Sequence, residues 1–160
     1  MAVSGAGAVL APAVPSPARH WPRRWQEQEP LLERQHERLE ALLTTLLQEH
    51  IQPLPAERLE LSDQAEQLAC RRLLWDLRLH LRLEERWLER WDALCPGHRG
   101  NHREAAQAAI AGFVSRAGSR RGRLAWLQEL DGWFTAHRQG PDAMAYALAR
   151  QRSPAPPATP

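Results

Sequence analysis

Leu32, His36, Leu39, Leu43 and Leu46 are spaced 4, 3, 4 and 3 residues apart. That period holds all five side chains on one face of a helix. The alternation returns in Leu73, Leu77, His80, Glu84, Trp87 and Trp91. A third stripe carries His98, His102, Ala105, Ala109 and Phe113. A fourth carries Leu127, Leu130, Phe134 and His137, with Trp126 and Trp133 a heptad apart beside it. No segment shows the alternation of a strand. Four amphipathic segments with short connections predict an all-α fold, an up-down-up-down antiparallel four-helix bundle.

Local signals set the expected boundaries. The first helix starts near Trp25 or Pro30 and runs to about His50, which reads as a C-terminal dipole partner. Pro53 and Pro55 open a connection. Ser62 or Asp63 with Glu66 suggests a capping box and a second helix over 63–94. Cys95-Pro96-Gly97 turns the chain into a third helix over 98–117. The fourth runs from Arg123 to His137 or Gln139, where Gly140-Pro141 stops it, and a short helix over 143–151 follows. Residues 1–20 and 152–160 read as tails flanking a bundle over 21–151. His20, in the first tail, reads as a surface histidine.

Composition narrows the function classes. The 160 residues are 43% hydrophobic, with a formal net charge of +2. All 21 basic residues are arginine, scattered among glutamates, so the pattern does not suggest a nucleic-acid binder. Arg116, Arg120, Arg121 and Arg123 form a local run that reads as a solvated turn between helices. No apolar run is long enough for a membrane span. The first 18 residues carry no positive charge and contain Pro12, Pro15 and Pro17, which argues against a signal peptide. Cys70 and Cys95 make no disulfide framework and lack zinc-type spacing. Cys70 reads as a buried small residue, and a reducing cytoplasm is the expected setting.

The polar residues inside the stripes carry the chemistry. His36 alone would read as a hydrogen-bonded core residue. His80 and Glu84 share one buried face, and an unpaired carboxylate inside a protein costs several kcal/mol or takes up a proton. An arginine or a metal cation must meet it, whereas Glu85 next door reads as solvated. His98 and His102 lie one turn apart. Asp142 would point about 140° away from His137 on a straight helix, so a break at Gly140-Pro141 is expected to let it fold back. Five histidines and two acids on inward or helix-end positions would leave a core full of unsatisfied polar groups. Metal resolves this, and seven donors exceed one tetrahedral zinc.

The ordered series His36, His80-x-x-x-Glu84, His98-x-x-x-His102, His137-x-x-x-x-Asp142 resembles that of the hemerythrin family. The Gln35-His36 pair, Glu84-Glu85 and Trp133-Phe134-x-x-His137 resemble it too, over about residues 25–146. The resemblance implies two non-haem irons. His98, His102 and His137 would hold one and His36 and His80 the other. Glu84, Asp142 and an oxo or hydroxo oxygen would bridge them. It also implies reversible O2 binding at an open position on the second iron, for carriage, storage or supply to an O2-consuming enzyme. Leu39, Leu77, Leu81, Trp133 and Phe134 are candidates for the apolar O2 pocket, with plain core packing as the alternative for each. Leu81 stands where the family often has an aromatic residue, and Arg138 where it usually has an apolar one. An O2 or redox sensor and a di-iron oxidase, peroxidase or NO-handling enzyme are the competing readings. A ferritin-like centre is disfavoured, because it wants two Glu-x-x-His motifs and the chain has one, Glu33 to His36. A histidine-rich donor set favours binding over oxidation. Oligomeric state is not legible.

Overall fold

The computed structural model describes residues 28–54 and 59–153, and every regular element among them is helical. The helices are α1 (Gln28–Ile51), α2 (Leu59–Arg90), α3 (Pro96–Arg116), α4 (Arg120–His137) and α5 (Ala143–Arg152). Trp25, His20 and the expected tails at 1–20 and beyond 153 lie outside the described residues. α1 packs against α2 and α4, and α3 packs against the same two helices. Ala109, Gly112 and Trp126 set the distance between α3 and α4. The Trp126 indole N–H donates to the Ala109 carbonyl at 3.0 Å, and a Cβ on Gly112 would come within 2.8 Å of the Trp126 ring.

The expected stripes contribute to two apolar clusters, with Trp91, Ala105, Phe113 and Trp133 only half-buried. Leu39, Leu43, Leu46, Leu73, Leu77, Leu81, Leu127, Leu130 and Phe134 belong to one core cluster. Leu32, Trp87, Leu88, Tyr146 and Ala149 belong to the other. Along α1 and α2, His36, His80 and Glu84 fall between residues of the two clusters, and His137 lies between Phe134 of the first and Ala145 and Tyr146 of the second, so a polar layer divides the core. Cys70 is buried within the first cluster, and burial pushes its thiol up to about 12.

Helix α2 departs from expectation at both ends. Its described part already runs from Leu59, so Ser62 and Asp63 are not its cap, and Glu66 points to an ion pair instead. It stops at Arg90 rather than near 94. Asp92 takes a left-handed conformation (φ 51°), the Ala93 N–H bonds the Leu88 carbonyl at 2.8 Å, and the Asp92 N–H bonds the Glu89 carbonyl at 3.1 Å. This is a Schellman stop with aspartate where glycine is usual. α4 starts at Arg120, with the Ser119 hydroxyl accepting from the Gly122 N–H at 3.0 Å. Gly122 is required there, since a Cβ would meet the Arg116 carbonyl oxygen at 2.3 Å.

The arginine run is not a solvated turn. Arg121 is exposed, but Arg123 is 1% exposed. Its guanidinium donates to Asp63 Oδ1 (2.5 Å), Glu66 Oε2 (2.7 Å), the Ala117 carbonyl (2.7 Å) and His50 Nε2 (3.2 Å). Arg120 donates to the carbonyls of His50, Glu49 and Gln52, closing the end of α1. His50 is therefore more than a dipole partner. It is buried, its Nδ1–H donates to the Leu46 carbonyl at 2.7 Å, and its Nε2 accepts from Arg123. The cluster ties the end of α1, the first turns of α2, the end of α3 and the start of α4 into one knot.

Truncating one partner of a buried ion pair strands the other charge. Arg123→Ala is expected to lower unfolding free energy by about 3–5 kcal/mol. Arg99→Ala, which removes an exposed pair with Glu89, should cost about 1 kcal/mol or less. Urea unfolding of both variants beside the parent checks this, and equal small losses would refute it.

Candidate metal centre

Each of the four long helices brings at least one donor to the polar layer. α1 supplies His36, α2 supplies His80 and Glu84, α3 supplies His98 and His102, and α4 ends on His137. All six are buried, as is Asp142. The chain between His137 and Asp142 is not broken as expected. Residues Arg138–Asp142 form a single π turn that continues directly into α5. Pro141 has no N–H to give the carbonyl four residues back, and its ring crowds that carbonyl, so the helix widens there. In a π turn residue i+5 stacks over residue i. Asp142 Oδ1 accordingly lies 2.8 Å from His137 Nε2.

The structure brings all seven expected donors together in two overlapping groups. Glu84, His98, His102, His137 and Asp142 form one, with donor atoms within 4.8 Å of one another; His36, His80 and Glu84 form the other. Each carboxylate sends one oxygen to each side. Glu84 Oε2 lies 3.3 Å from His102 Nε2, while Oε1 lies 3.4 Å from His36 Nε2 and 3.8 Å from His80 Nε2. Asp142 Oδ1 lies 3.0 Å from His98 Nε2, while Oδ2 lies 3.5 Å from His36 Nε2.

These donors are not satisfied by one another. Both oxygens of Glu84 and of Asp142, with His36 Nε2 and His80 Nε2, are buried without a hydrogen-bond partner among the described residues. The Nε2 atoms of His98, His102 and His137 form a triangle with edges of 3.0, 3.1 and 2.8 Å. One ring nitrogen either donates or accepts, so three cannot all pair around a triangle. A cation at the centre relieves this arrangement, and the donor types suit a transition metal.

The outer ring nitrogens orient the donors. His80 Nδ1–H donates to Gln35 Oε1 at 3.0 Å, which leaves its Nε2 lone pair aimed inward. His102 Nδ1–H donates to Glu85 Oε1 at 3.1 Å. Glu85 is thus not merely solvated; it faces α3 and holds a donor in place. These supporting roles of Gln35 and Glu85 were missed, although each stands beside a donor in the chain, at 36 and 84. Tyr146 was missed entirely. Its ring lies 5.7 Å from His36 and 4.8 Å from Trp87, and its hydroxyl is buried with no partner among the described residues. Burial, reinforced by the Glu84 charge, pushes its pKa far upward, so the hydroxyl keeps its proton.

Leu39, Leu77, Leu81 and Phe134 are buried in the first apolar cluster, and Trp133 packs on its edge. Phe134 lies 5.9 Å from His36, and Trp133 stacks on His137 at 4.7 Å. Beside His36 and Asp142 a cavity of about 230 Å³ is also lined by Glu33, Arg138, Tyr146 and Arg150. Arg138 spans this edge, donating to Glu33 at 3.1 Å and Glu40 at 2.7 Å.

Burial and the neighbouring charges compete at each donor. Burial opposes a charge on His36, but the Asp142 and Glu84 carboxylates outweigh it and raise its pKa to about 9. Burial wins at His80, which falls to about 4. For Glu84 and Asp142 burial favours the protonated form, but the surrounding histidines overcome it and hold both below the usual carboxylate range. No family model matches the chain, and neither a curated protein nor a solved structure matches it.

Two predictions follow from the donors and their supports. Gln35→Leu removes the acceptor that orients His80 and should weaken metal binding about 10- to 100-fold, measured by chelator competition. In metal-free protein, the His36 contribution to stability is whole below pH 6.5 and is lost as pH rises through about 9. His80 acts the other way: between 6.5 and about 4 the unfolded chain takes up a proton that the folded one refuses. These two histidines therefore favour a stability maximum near pH 6.5. Metal needs deprotonated imidazoles, so loading should reverse the fall above that pH. Urea midpoints of both forms across the range test the reversal.

Proposed function

We propose that the chain is a hemerythrin-like protein that binds O2 reversibly at two bridged non-haem irons, inside an up-down-up-down antiparallel four-helix bundle. The reading rests most on one observation: Glu84 and Asp142 each divide their two oxygens between the three-histidine side and the His36 side. A carboxylate that serves one ion has no reason to split in this way. His98, His102 and His137 would hold one iron, and His36 and His80 the other, with a bridging oxo or hydroxo oxygen completing the pair. The 2.8–3.1 Å triangle supports six-coordinate metal. At a metal–nitrogen distance of about 2.1 Å, ligands at right angles sit about 3.0 Å apart, whereas tetrahedral ones sit about 3.4 Å apart.

Irons held by these seven residues would supply the redox chemistry for taking up and releasing O2. The protein's part is to keep the exchange reversible. Leu39, Leu77, Leu81, Trp133 and Phe134 exclude water from the layer, while Gln35 and Glu85 hold the imidazoles in one orientation. Five neutral imidazoles against two carboxylates leave little negative charge to stabilise high-valent iron, which favours binding over oxidation. The bundle topology is supported by the knot at Arg123, where the ends of α1 and α3 meet the starts of α2 and α4. Two free cysteines, one of them exposed, support a cytoplasmic setting. No described helix is long and apolar enough to cross a membrane.

The polar cavity beside His36 favours a second reading, a di-iron oxidase or NO-handling enzyme, because Glu33, Arg138 and Tyr146 could bring water or protons to that side. Spectroscopy separates the two. The protein is reduced without oxygen, exposed to O2 and purged through repeated cycles. A charge-transfer band that returns and vanishes with constant amplitude is expected. A band that decays in every cycle, with peroxide accumulating, would establish the oxidase reading instead.

A further inference from the structure

The outward face of α2 has an unusual composition. Leu68, Trp75 and Leu79 are 56%, 62% and 48% exposed, half of the six large apolar side chains most exposed among the described residues. They share their face with Arg71, Arg72, Arg78, Arg82, Arg86 and Arg90. At 100° per residue all nine project within an arc of about 120°. Leu68, Arg72, Trp75, Leu79, Arg82 and Arg86 follow the 4-3 spacing of a helix-packing seam, about 27 Å long. Arg78 lies over the Trp75 ring at 5.1 Å, which holds the indole in place.

The acids of this stretch are occupied elsewhere. Asp76 pairs with Arg38 of α1 at 3.6 Å, Glu84 is in the buried layer, Glu85 accepts from His102, and Glu89 pairs with Arg99. Arg71, Arg72, Arg82 and Arg86 have no acidic partner among the described residues. Six of the chain's 21 arginines are thus gathered on one face of α2. We propose that this face docks an acidic amphipathic helix of a partner protein, with apolar side chains against Leu68, Trp75 and Leu79 and carboxylates on the flanking guanidiniums. A second copy of this chain would set arginine against arginine. A phosphate backbone would leave the leucines facing polar groups. A membrane-bound helix would offer a wider apolar face than three separated residues. The proposal does not depend on the metal reading.

The probe is a fluorescein-labelled peptide of about three heptads, with leucines in the seam and glutamates beside them. Anisotropy with the full chain should show saturable binding that weakens as salt rises. Replacing the peptide glutamates by glutamine should weaken it about tenfold or more, and so should Trp75→Ala or Arg72→Glu with Arg82→Glu in the protein. These side chains are exposed, and unchanged circular dichroism verifies the fold of each variant. Absence of binding, or equal binding of the glutamate and glutamine peptides, would overturn the proposal. So would tighter binding to phosphatidylglycerol vesicles or duplex DNA that is lost in the same variants.

Discussion

Two carboxylates and five imidazoles meet in one buried layer, and the rest of the structure is arranged around the cost of putting them there. Either carboxylate alone, charged and unpartnered in such a place, would cost several kcal/mol of stability. Histidines relieve part of that by sharing protons, as the raised pKa of His36 shows. They cannot relieve all of it, because the Nε2 triangle of His98, His102 and His137 has no consistent pairing and the oxygens of Glu84 and Asp142 meet only imidazole nitrogens and accept no hydrogen bond among the described residues. The fold therefore keeps a buried polar layer that could hold a metal ion.

Everything near the layer fixes direction. Gln35 and Glu85 take the outer N–H of His80 and His102 and leave the inner lone pairs converging. The π turn at Arg138–Asp142 moves one carboxylate over His137 without ending the helix, so the aspartate is held by continuous backbone on both sides. Apolar side chains close the layer from both faces, Leu39, Leu77, Leu81 and Phe134 on one and Leu32, Trp87 and Tyr146 on the other. At the far end of the helices, the buried Arg123 knot clamps four termini and limits their sliding. A site that depends on ångström placement of donors from four helices needs such a clamp.

The donors were legible in the sequence because the period of a helix is rigid. Once Leu32, Leu39 and Leu43 define an inward face, His36 has to lie on it, and the same holds for Glu84 between Leu77 and Trp87. What escaped was decided by backbone chemistry or by contacts remote in sequence. Pro141 reads as a stop, yet it only widens the helix. Asp92 ends α2 in a conformation usually given to glycine. Arg123 reads as surface because arginine seldom lies buried, and its partners Asp63, Glu66 and His50 are some sixty to seventy residues away. Glu85 and Gln35 were adjacent to donors all along, but only the packing of α3 on α2 and of α1 on α2 shows which ring each one serves.

The central claim is that this layer binds a pair of irons rather than one ion or none. Metal analysis of the native protein, combined with low-temperature Mössbauer spectroscopy of iron-57-enriched material, addresses it most directly. The account predicts a ratio of two irons per chain and an antiferromagnetically coupled pair in the oxidised state. A single metal per chain, a stoichiometric zinc, or protein that folds and stays free of iron when iron is supplied would contradict it.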